Sequence, residues 1–300
     1  MPGSNYQLRK PISLFRKLCR LFNLTFAQKI NDMKKTFVLV FILSAGFMTK
    51  AQDRSFARTY TSNVLPKGTI DLEFWHTSRI GHKDQFFHAQ DQRLEAEFGL
   101  GKNWQTAFYF NRWQERFSTT NNGTELKNEI GFSNEWKWKL SDPVANRIGF
   151  ALYEEWGIKG GDELEVETKL IFDKVVGKSV FAFNVTYELE KEFEWVNGKV
   201  KSDNWVMPVE FDLAYMYNIN KSAGMGFEIL NHNEIVKGDG WVHSVLFGGP
   251  TFNYRSGKWF VIANYLPQWG NLHKSAMAPF NKVLDEHERM EARILIGISL

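Results

Sequence analysis

The feature that most constrains the fold is an alternation of apolar and polar side chains, which is clearest in residues 290–300. The apolar parity consists of Met290, Ala292, Ile294, Ile296, Ile298 and Leu300. The other parity carries Glu291, Arg293, Gly297 and Ser299, with Leu295 as its exception. Successive side chains of an extended strand point to opposite faces. This segment is therefore predicted to be a β-strand with one apolar face and one polar face.

The same alternation recurs behind a short lead at residues 53–66 and predicts twelve strands in all. The predicted strands cover roughly 68–78, 86–100, 104–118, 124–140, 146–158, 162–175, 178–195, 203–218, 222–236, 240–255, 258–268 and 287–300. Aromatic residues make up 15% of the chain, yet its mean hydropathy is −0.35. Large rings in a chain that is polar on average suit strands with a single apolar face.

The connections between these strands alternate in length. Short turns are predicted at 101–103, 141–146, 176–178, 218–221 and 255–258. Generally longer and more polar links lie near 79–85, 119–123, 159–161, 196–202, 237–239 and 269–286. Short turns at one end, longer loops at the other and an even strand number are typical of transmembrane barrels. The prediction is an all-β fold, a transmembrane antiparallel up-and-down β-barrel of about twelve strands.

Aromatic girdles should mark both membrane interfaces of such a barrel. The candidates near the short turns are Trp104, Trp138, Tyr217, Tyr254 and Trp259. Those toward the longer loops are Trp75, Trp113, Trp156, Trp195, Trp205 and Trp269. A soluble β-sandwich or lipocalin-like barrel is the alternative, with its apolar face turned inward. Hydrophobicity does not separate the two, but strand length, strand count and the leader favour the membrane barrel.

Residues 33–52 carry the marks of a secretory signal peptide. Lys34 and Lys35 precede an apolar core from Phe37 to Met48, and cleavage is predicted after Ala51 or close by. An uncleaved N-terminal anchor is the alternative. Residues 1–32 are an upstream extension, either a long basic start to the signal or translation from a start codon before the genuine one at Met33. The predicted organisation is therefore 1–32 extension, 33–52 signal peptide and 53–300 barrel.

The charge balance excludes nucleic acid as a partner. Residues 1–52 hold nine Lys and Arg and a single acid, Asp32. Removing them from the 37 basic and 34 acidic residues of the chain leaves 28 and 33, a net charge of about −5. The basic sequence pI of 8.7 is thus set by the leader. The single cysteine, Cys19, also lies there, so no disulfide is expected in 53–300.

With this leader, these hairpin-linked strands and this alternating last strand, the chain resembles the outer-membrane β-barrel proteins of Gram-negative bacteria. More narrowly, it resembles the small porin-like transporters annotated for phenol degradation or other solute uptake. The resemblance implies residence in the cell outer membrane among lipid and lipopolysaccharide, and insertion by the barrel-assembly machinery. It also implies passage of a small solute. The family usually ends on an aromatic residue, whereas this chain ends on Leu300.

If the apolar parity faces lipid, the charged parity lines the lumen. The predicted lumen and selectivity residues are Glu125, Glu129, Glu135, Glu163, Glu165, Glu167, Lys169, Glu188, Glu190, Glu210, Asp212 and Arg293. Rings of carboxylates set a preference for cations, which predicts a passive channel for a small polar or cationic solute. The alternative is a closed structural or adhesive barrel, sealed by cross-strand pairs, that acts through its outer loops. The loop 270–286 is either a lid, a partner-binding segment or an ordinary surface loop.

No catalytic residue, cofactor or metal site is predicted. An outer-membrane esterase or phospholipase ranks third, because the chain lacks the His-x-Ser-Asn-Gly pattern of the twelve-stranded phospholipases. The nearest feature, His243-Ser244, places its two residues on opposite faces of a strand. The histidines around the first outer loop, His76, His82 and His88, are spaced too widely for a tight metal-ligand pattern.

Overall fold

The computed structural model describes residues 54–118, 123–196, 199–201 and 205–300. The predicted signal peptide and upstream extension lie outside the described residues. No helix among the described residues is long and apolar enough to cross a membrane.

Twelve strands close into a single antiparallel barrel, which confirms the predicted fold. The strands are β1 Ile70–Ile80, β2 Phe87–Gly101, β3 Trp104–Ser118, β4 Thr124–Ser141, β5 Gly149–Lys159, β6 Glu163–Val176, β7 Ser179–Glu192, β10 Trp205–Asn218, β11 Ala223–Val236, β12 Gly240–Ser256, β13 Trp259–Asn271 and β14 Met290–Ser299. Each strand pairs with its neighbour along the chain, and β1 pairs with β14, from Asp71 opposite Ser299 to Ile80 opposite Met290.

The link between β7 and β10 forms a small hairpin of its own, β8 Glu194–Val196 and β9 Lys199–Lys201. The prediction that one strand runs from 178 to 195 is wrong at its end. The barrel strand stops at Glu192, and one more backbone hydrogen bond, from the N–H of Phe193 to the carbonyl of Asp162 at 2.7 Å, extends its pairing with β6 into the link.

The two ends of the barrel differ in the length of their connections. At one end, here the turn end, the links between strands are 102–103, 142–148, 177–178, 219–222 and 257–258. At the other, the loop end, they are 81–86, 119–123, 160–162, 193–204, 237–239 and 272–289. In the first turn, Lys102 and Asn103 adopt φ values of 52° and 67°, as a two-residue hairpin turn of the left-handed type requires. The chain's longest connection is therefore at the loop end.

The outer face of the barrel is a continuous apolar surface. Its exposed side chains include Leu72, Phe74, Leu94, Phe108, Phe110, Phe132, Leu170, Phe181, Phe183, Phe211, Leu213, Phe227, Phe252, Ile294 and Ile296. Several girdle candidates lie on it, and Trp104 stacks on Trp138 with ring centroids 5.2 Å apart. A soluble protein rarely exposes so large an apolar patch, so the outer face suits lipid.

Two of the predicted girdle residues face the interior of the barrel and not its outer surface. Trp75 is 4% exposed and Trp113 lines an interior cavity. The reason is strand parity: Trp75 alternates with Phe74 and shares the inward face with Glu73, to whose carboxylate its ring nitrogen donates at 2.8 Å. Trp205 and Trp259 are half-buried, and the side chain of Trp195 lies outside the described ones.

The N-terminal lead does not stay outside the barrel. Residues 54–66, here termed the plug, run through the lumen in its turn-end half. Phe56 packs in an apolar patch of the wall made by Val180, Ala182, Ala214 and Met216. Ala57 packs against Trp75, Phe260, Ile262 and Leu295, and Tyr60 packs against Ala151, Tyr153 and Ile171. Leu295, the apolar exception in the last strand, is thus a wall contact of the plug.

Candidate functional site

The strongest anchor of the plug is the carboxylate of Glu228, which projects inward from β11 and is 1% exposed. It accepts the backbone N–H groups of Ala57, Arg58 and Thr59 at 3.1, 2.9 and 3.0 Å. The hydroxyl of Thr59 donates to it as well, at 3.3 Å. Buried backbone N–H groups need hydrogen-bond acceptors. Here one wall carboxylate accepts from three such groups.

The second anchor is Arg58, whose guanidinium binds two wall carboxylates with both arms. One arm reaches Glu291 at 3.0 and 3.3 Å, and the other reaches Glu210 at 3.1 and 3.2 Å. Each terminal nitrogen contacts both oxygens of one carboxylate, and hydrogen bonds between two ionised groups are stronger than those between neutral groups. Glu210 and Glu291 are thereby neutralised by a cation that does not belong to the barrel wall.

Arg54 enters an acidic part of the wall near the turn end. Its guanidinium lies 3.8 Å from the carboxylates of Glu73 and Glu97 and 4.2 Å from the ring centroids of Tyr60 and Trp75. Buried carboxylates that lie close together need an oppositely charged group beside them to remain ionised. The plug therefore carries two arginines into the places where wall carboxylates are most closely packed.

Side-chain amides of the wall hold the rest of the plug by its backbone. The Asn184 carbonyl oxygen accepts from the Tyr60 N–H at 2.7 Å, and its amide nitrogen donates back to the Tyr60 carbonyl at 3.0 Å. Gln105 accepts from the Leu65 N–H at 2.8 Å. Asn253 donates to the Ser55 carbonyl at 3.1 Å. These bonds replace the strand neighbours that the plug lacks.

A cavity of about 370 Å³ lies on the loop-end side of the plug. Nine of the twelve predicted lumen residues line it: Glu129, Glu165, Glu167, Lys169, Glu188, Glu190, Glu210, Asp212 and Arg293. Glu135 points inward but lies deeper, where it accepts a hydrogen bond from Tyr109. Glu163 pairs with Lys159 at the loop end of β6. Glu125 is exposed at the loop-end tip of β4 and does not line the cavity.

The cavity is acidic, but less so than the sequence predicted. Its described lining holds ten acids and seven cations. Two of those cations, Lys169 and Arg293, belong to the predicted set, and Arg93 and Lys127 lie on the charged parity predicted to face inward. The other three, Arg58, Arg79 and Lys159, were not predicted to face the lumen. Arg58 comes from the plug, whereas Arg79 and Lys159 sit at strand ends that had been assigned to links. The inward parity of those ends was the signal that could have identified them.

The residual negative charge is concentrated on the neighbouring strands β6, β7 and β10. Glu165 faces Glu190 and Glu167 faces Glu188 directly across the β6–β7 pair. Lys159 lies 3.6 Å from Glu165 and Lys169 lies 2.7 Å from Glu167. Like charges in directly opposite positions repel each other. Glu188 and Glu190 form no ion pair with a described residue, and neither does Asp212 of the neighbouring strand β10. These three are the side chains that a mobile cation would meet.

A second cavity, of about 760 Å³, lies on the turn-end side of the plug. Its described lining includes Arg54, Asn63, Asp142, Asp173 and Arg255, and it shares no lining residue with the first cavity. At its rim, Lys139 donates to Asp142 at 2.6 Å. This hydrogen bond lowers the pKa of Asp142 to about 2. The plug therefore lies between two separate compartments, each large enough for many water molecules, within one barrel.

The loop 272–289 packs partly inside the loop-end mouth. Ala278 and Val283 are buried against Leu230, Phe247 and Leu266 of the inner wall, among other residues. Gln268 donates to the carbonyls of Val283 and Glu288, both at 3.0 Å. Among the three alternatives for this segment, an ordinary surface loop is wrong for the buried residues Ala278 and Val283. Met277 and Phe280, on either side of Ala278, remain exposed.

The residues considered for catalysis and for metal binding around the first loop take separate partners. The Ser244 hydroxyl accepts from Asn231 at 2.9 Å, whereas the ring of His243 contacts His287. His88 bonds the hydroxyl of Ser78 at 2.9 Å, and His82 stacks on Phe87. The described structure thus does not bring His76, His82 and His88 together as ligands.

A sequence profile of a protein family matches residues 48–300; the family is described as one of unknown function, DUF6662. The chain belongs to this family. A comparison with curated proteins found no match.

Solved structures similar to this DUF6662 member are bacterial outer-membrane barrels. The COG4313 outer membrane channel from Pseudomonas putida F1 aligns with a TM-score of 0.56 at 8% identity, over 84% of this chain and 100% of the other. The beta domain of the Bordetella autotransporter BrkA gives 0.55 at 9% identity, over 79% and 100%. The translocator domain of autotransporter NalP from Neisseria meningitidis gives 0.52 at 11% identity, over 77% and 87%. Likeness at this identity concerns the fold, and the fold is that of an outer-membrane barrel.

Proposed function

We propose that this protein is an outer-membrane channel for small polar or cationic solutes, and that the plug is its gate. The observation that carries the proposal is the division of the lumen into two cavities by a single peptide segment. The plug is held in place by hydrogen bonds, ion pairs and small apolar patches. Withdrawal of residues 54–66 from the wall would join the two cavities into one water-filled path.

The preference for cations follows from the ten acids and seven cations around the loop-end cavity. An excess of carboxylates attracts cations and repels anions. Glu188, Glu190 and Asp212 contribute most to that excess, because none of the three has an ion-pair partner among the described residues. A cationic solute entering from the loop end would meet Glu188 and Glu190 before it reached Arg58.

The setting of the channel is part of the proposal. The apolar outer face supports contact with outer-membrane lipid, with lipopolysaccharide at the loop end and insertion by the barrel-assembly machinery. The unequal connections support the loop end as the outside. The proposed transport is passive, with no nucleic-acid partner, no cofactor and no catalytic step.

Planar-bilayer recording with a salt gradient tests the channel. The protein is expressed from its full sequence, purified from membranes and compared with Glu228→Ala, which removes the main anchor of the plug. We expect brief or small conductance steps from the wild type and larger steps from Glu228→Ala, both cation-selective. Glu188→Gln with Glu190→Gln should reduce the cation preference, whereas the matched control Glu125→Gln, outside the cavity, should not.

A closed structural or adhesive barrel is the second candidate, and the density of contacts on the plug favours it. It predicts electrical silence from wild type and from Glu228→Ala alike, in protein shown to be folded. That result would overturn the channel and direct attention to the outer loops.

A further inference from the structure

Three histidines and one glutamate meet at the loop end of the lumen, outside the contacts that hold the plug. His232 projects inward from β11, His243 from β12, and His287 from the loop 272–289. With Glu234 of β11, each offers one ligand atom, and these four atoms lie within 4.8 Å of one another. The four residues are here termed the histidine cluster. Its members come from three separate parts of the chain.

The spacing inside the cluster is that of ligands around a small ion. The Nε2 atoms of His243 and His287 are 2.7 Å apart, and the Glu234 carboxylate is 3.7 Å from His243 Nε2. A tetrahedral zinc with Zn–N bonds of about 2.0 Å holds its ligand atoms about 3.3 Å apart. Because His287 is on a loop, a shift of a few tenths of an ångström reaches that spacing.

A carboxylate outside the cluster orients one of the three rings. The Nδ1 atom of His232 lies 2.8 Å from Glu210. Histidine ligands of metals commonly donate their second ring N–H to a carboxylate, which fixes the tautomer and leaves the other nitrogen free to bind. This contact leaves the Nε2 atom of His232 available for the centre of the cluster. The Nδ1 atom of His243 lies 3.3 Å from Glu286 but forms no hydrogen bond with a described residue.

The backbone is irregular immediately beside His243. Glu234 pairs with His243 and Ile235 pairs with Trp241, so Val242 is an extra residue in β12. Such β-bulges redirect side chains and are concentrated next to functional sites. Beside this bulge His243 is completely buried, and its Nδ1 atom has no hydrogen-bond partner among the described residues, which is a costly position for a polar atom.

We propose that His232, Glu234, His243 and His287 form a binding site for a divalent transition metal, with Zn²⁺ as the fitting ion. Three imidazole nitrogens and one carboxylate suit Zn²⁺ and its first-row neighbours, whereas Mg²⁺ and Ca²⁺ prefer oxygen ligands. Since His287 belongs to the loop and the other three residues belong to the wall, the bound ion ties the loop to the barrel at its outer mouth.

Calorimetric titration with Zn²⁺ tests the site, on full-length protein purified in detergent by an affinity tag without histidine. We expect one ion per chain, with an affinity that falls at least tenfold in His287→Ala and His243→Ala. His273→Ala is the matched control, because this histidine of the same loop stacks on Trp241 away from the cluster.

Cobalt supplies a second readout that does not depend on affinity. Co²⁺ in the wild type should show the intense visible absorption of a four-coordinate site, and His287→Ala should lose it. Zinc should also slow proteolysis within 272–289 in the wild type and not in His287→Ala. Stoichiometric zinc binding that survives both His287→Ala and His243→Ala, or no binding by folded wild type, would overturn the proposal.

Discussion

Replacement of Glu228 by alanine is the sharpest test of the plug, because this one side chain satisfies three buried backbone N–H groups of residues 57–59. The substitution leaves those donors without a partner in the lumen. A lost hydrogen bond to a charged acceptor costs roughly 1.5 kcal/mol, so the three bonds together are worth about 4 kcal/mol. At about 1.4 kcal/mol per factor of ten, the ratio of released to seated plug should rise by about a thousandfold.

Limited trypsin digestion measures that ratio directly, since the plug contains Arg54 and Arg58 as cleavage sites. In the wild type both arginines are held inside the barrel and should resist cleavage. In Glu228→Ala, mass spectrometry should detect cleavage after Arg58 at a rate raised by about two to three orders of magnitude, because cleavage follows the population of the open form. The barrel itself should keep its heat-modifiable migration and its β-sheet circular dichroism.

Glu125→Ala is the control for removal of a carboxylate, because Glu125 is exposed at the tip of β4 and does not contact the plug. It should match the wild type in the digestion. If Glu228→Ala resists trypsin as well as the wild type does while remaining folded, Glu228 does not hold the plug and the energetic argument is wrong.

Three further outcomes are expected. Phe56→Ala should also release the plug, because loss of a buried phenylalanine side chain costs about 3–5 kcal/mol. Trypsin cleavage after Arg58 should then accelerate. Unchanged cleavage would contradict the packing of Phe56 in the patch of Val180 and Met216. The Asp142 carboxyl, with its pKa lowered to about 2, should stabilise the turn at pH values above about 4. That contribution should disappear as the pH falls through about 2, so the difference in unfolding temperature between wild type and Asp142→Asn should vanish there; a constant difference would count against the Lys139 contact. Gly297→Val should lower the yield of folded barrel, because a Cβ atom at position 297 would lie 2.1 Å from the Phe260 ring. The yield is measured on a heat-modifiability gel. A normal yield would show that the Phe260 ring can move aside.

Local pattern was sufficient for the wall of the barrel. Twelve strands and their approximate bounds follow from a repeat of two residues, which each strand carries by itself. Strand length, strand count and the leader then favoured the charged parity as the inward face. Nine of the predicted lumen residues line the cavity for that reason. Errors arose where parity was not followed to the strand ends, as at Arg79 and Lys159, or where aromatic character was weighed above parity, as at Trp75.

The sequence by itself determined the closed sheet, its apolar outer face and its charged interior, because alternation is a property of neighbouring residues. Only the tertiary structure decided what fills that interior. Arg58 meets Glu210 and Glu291, 152 and 233 residues away in the chain, and His287 meets His243 across 44 residues. Such meetings depend on how the strands are staggered when β1 closes against β14, and no local pattern in the chain encodes that stagger.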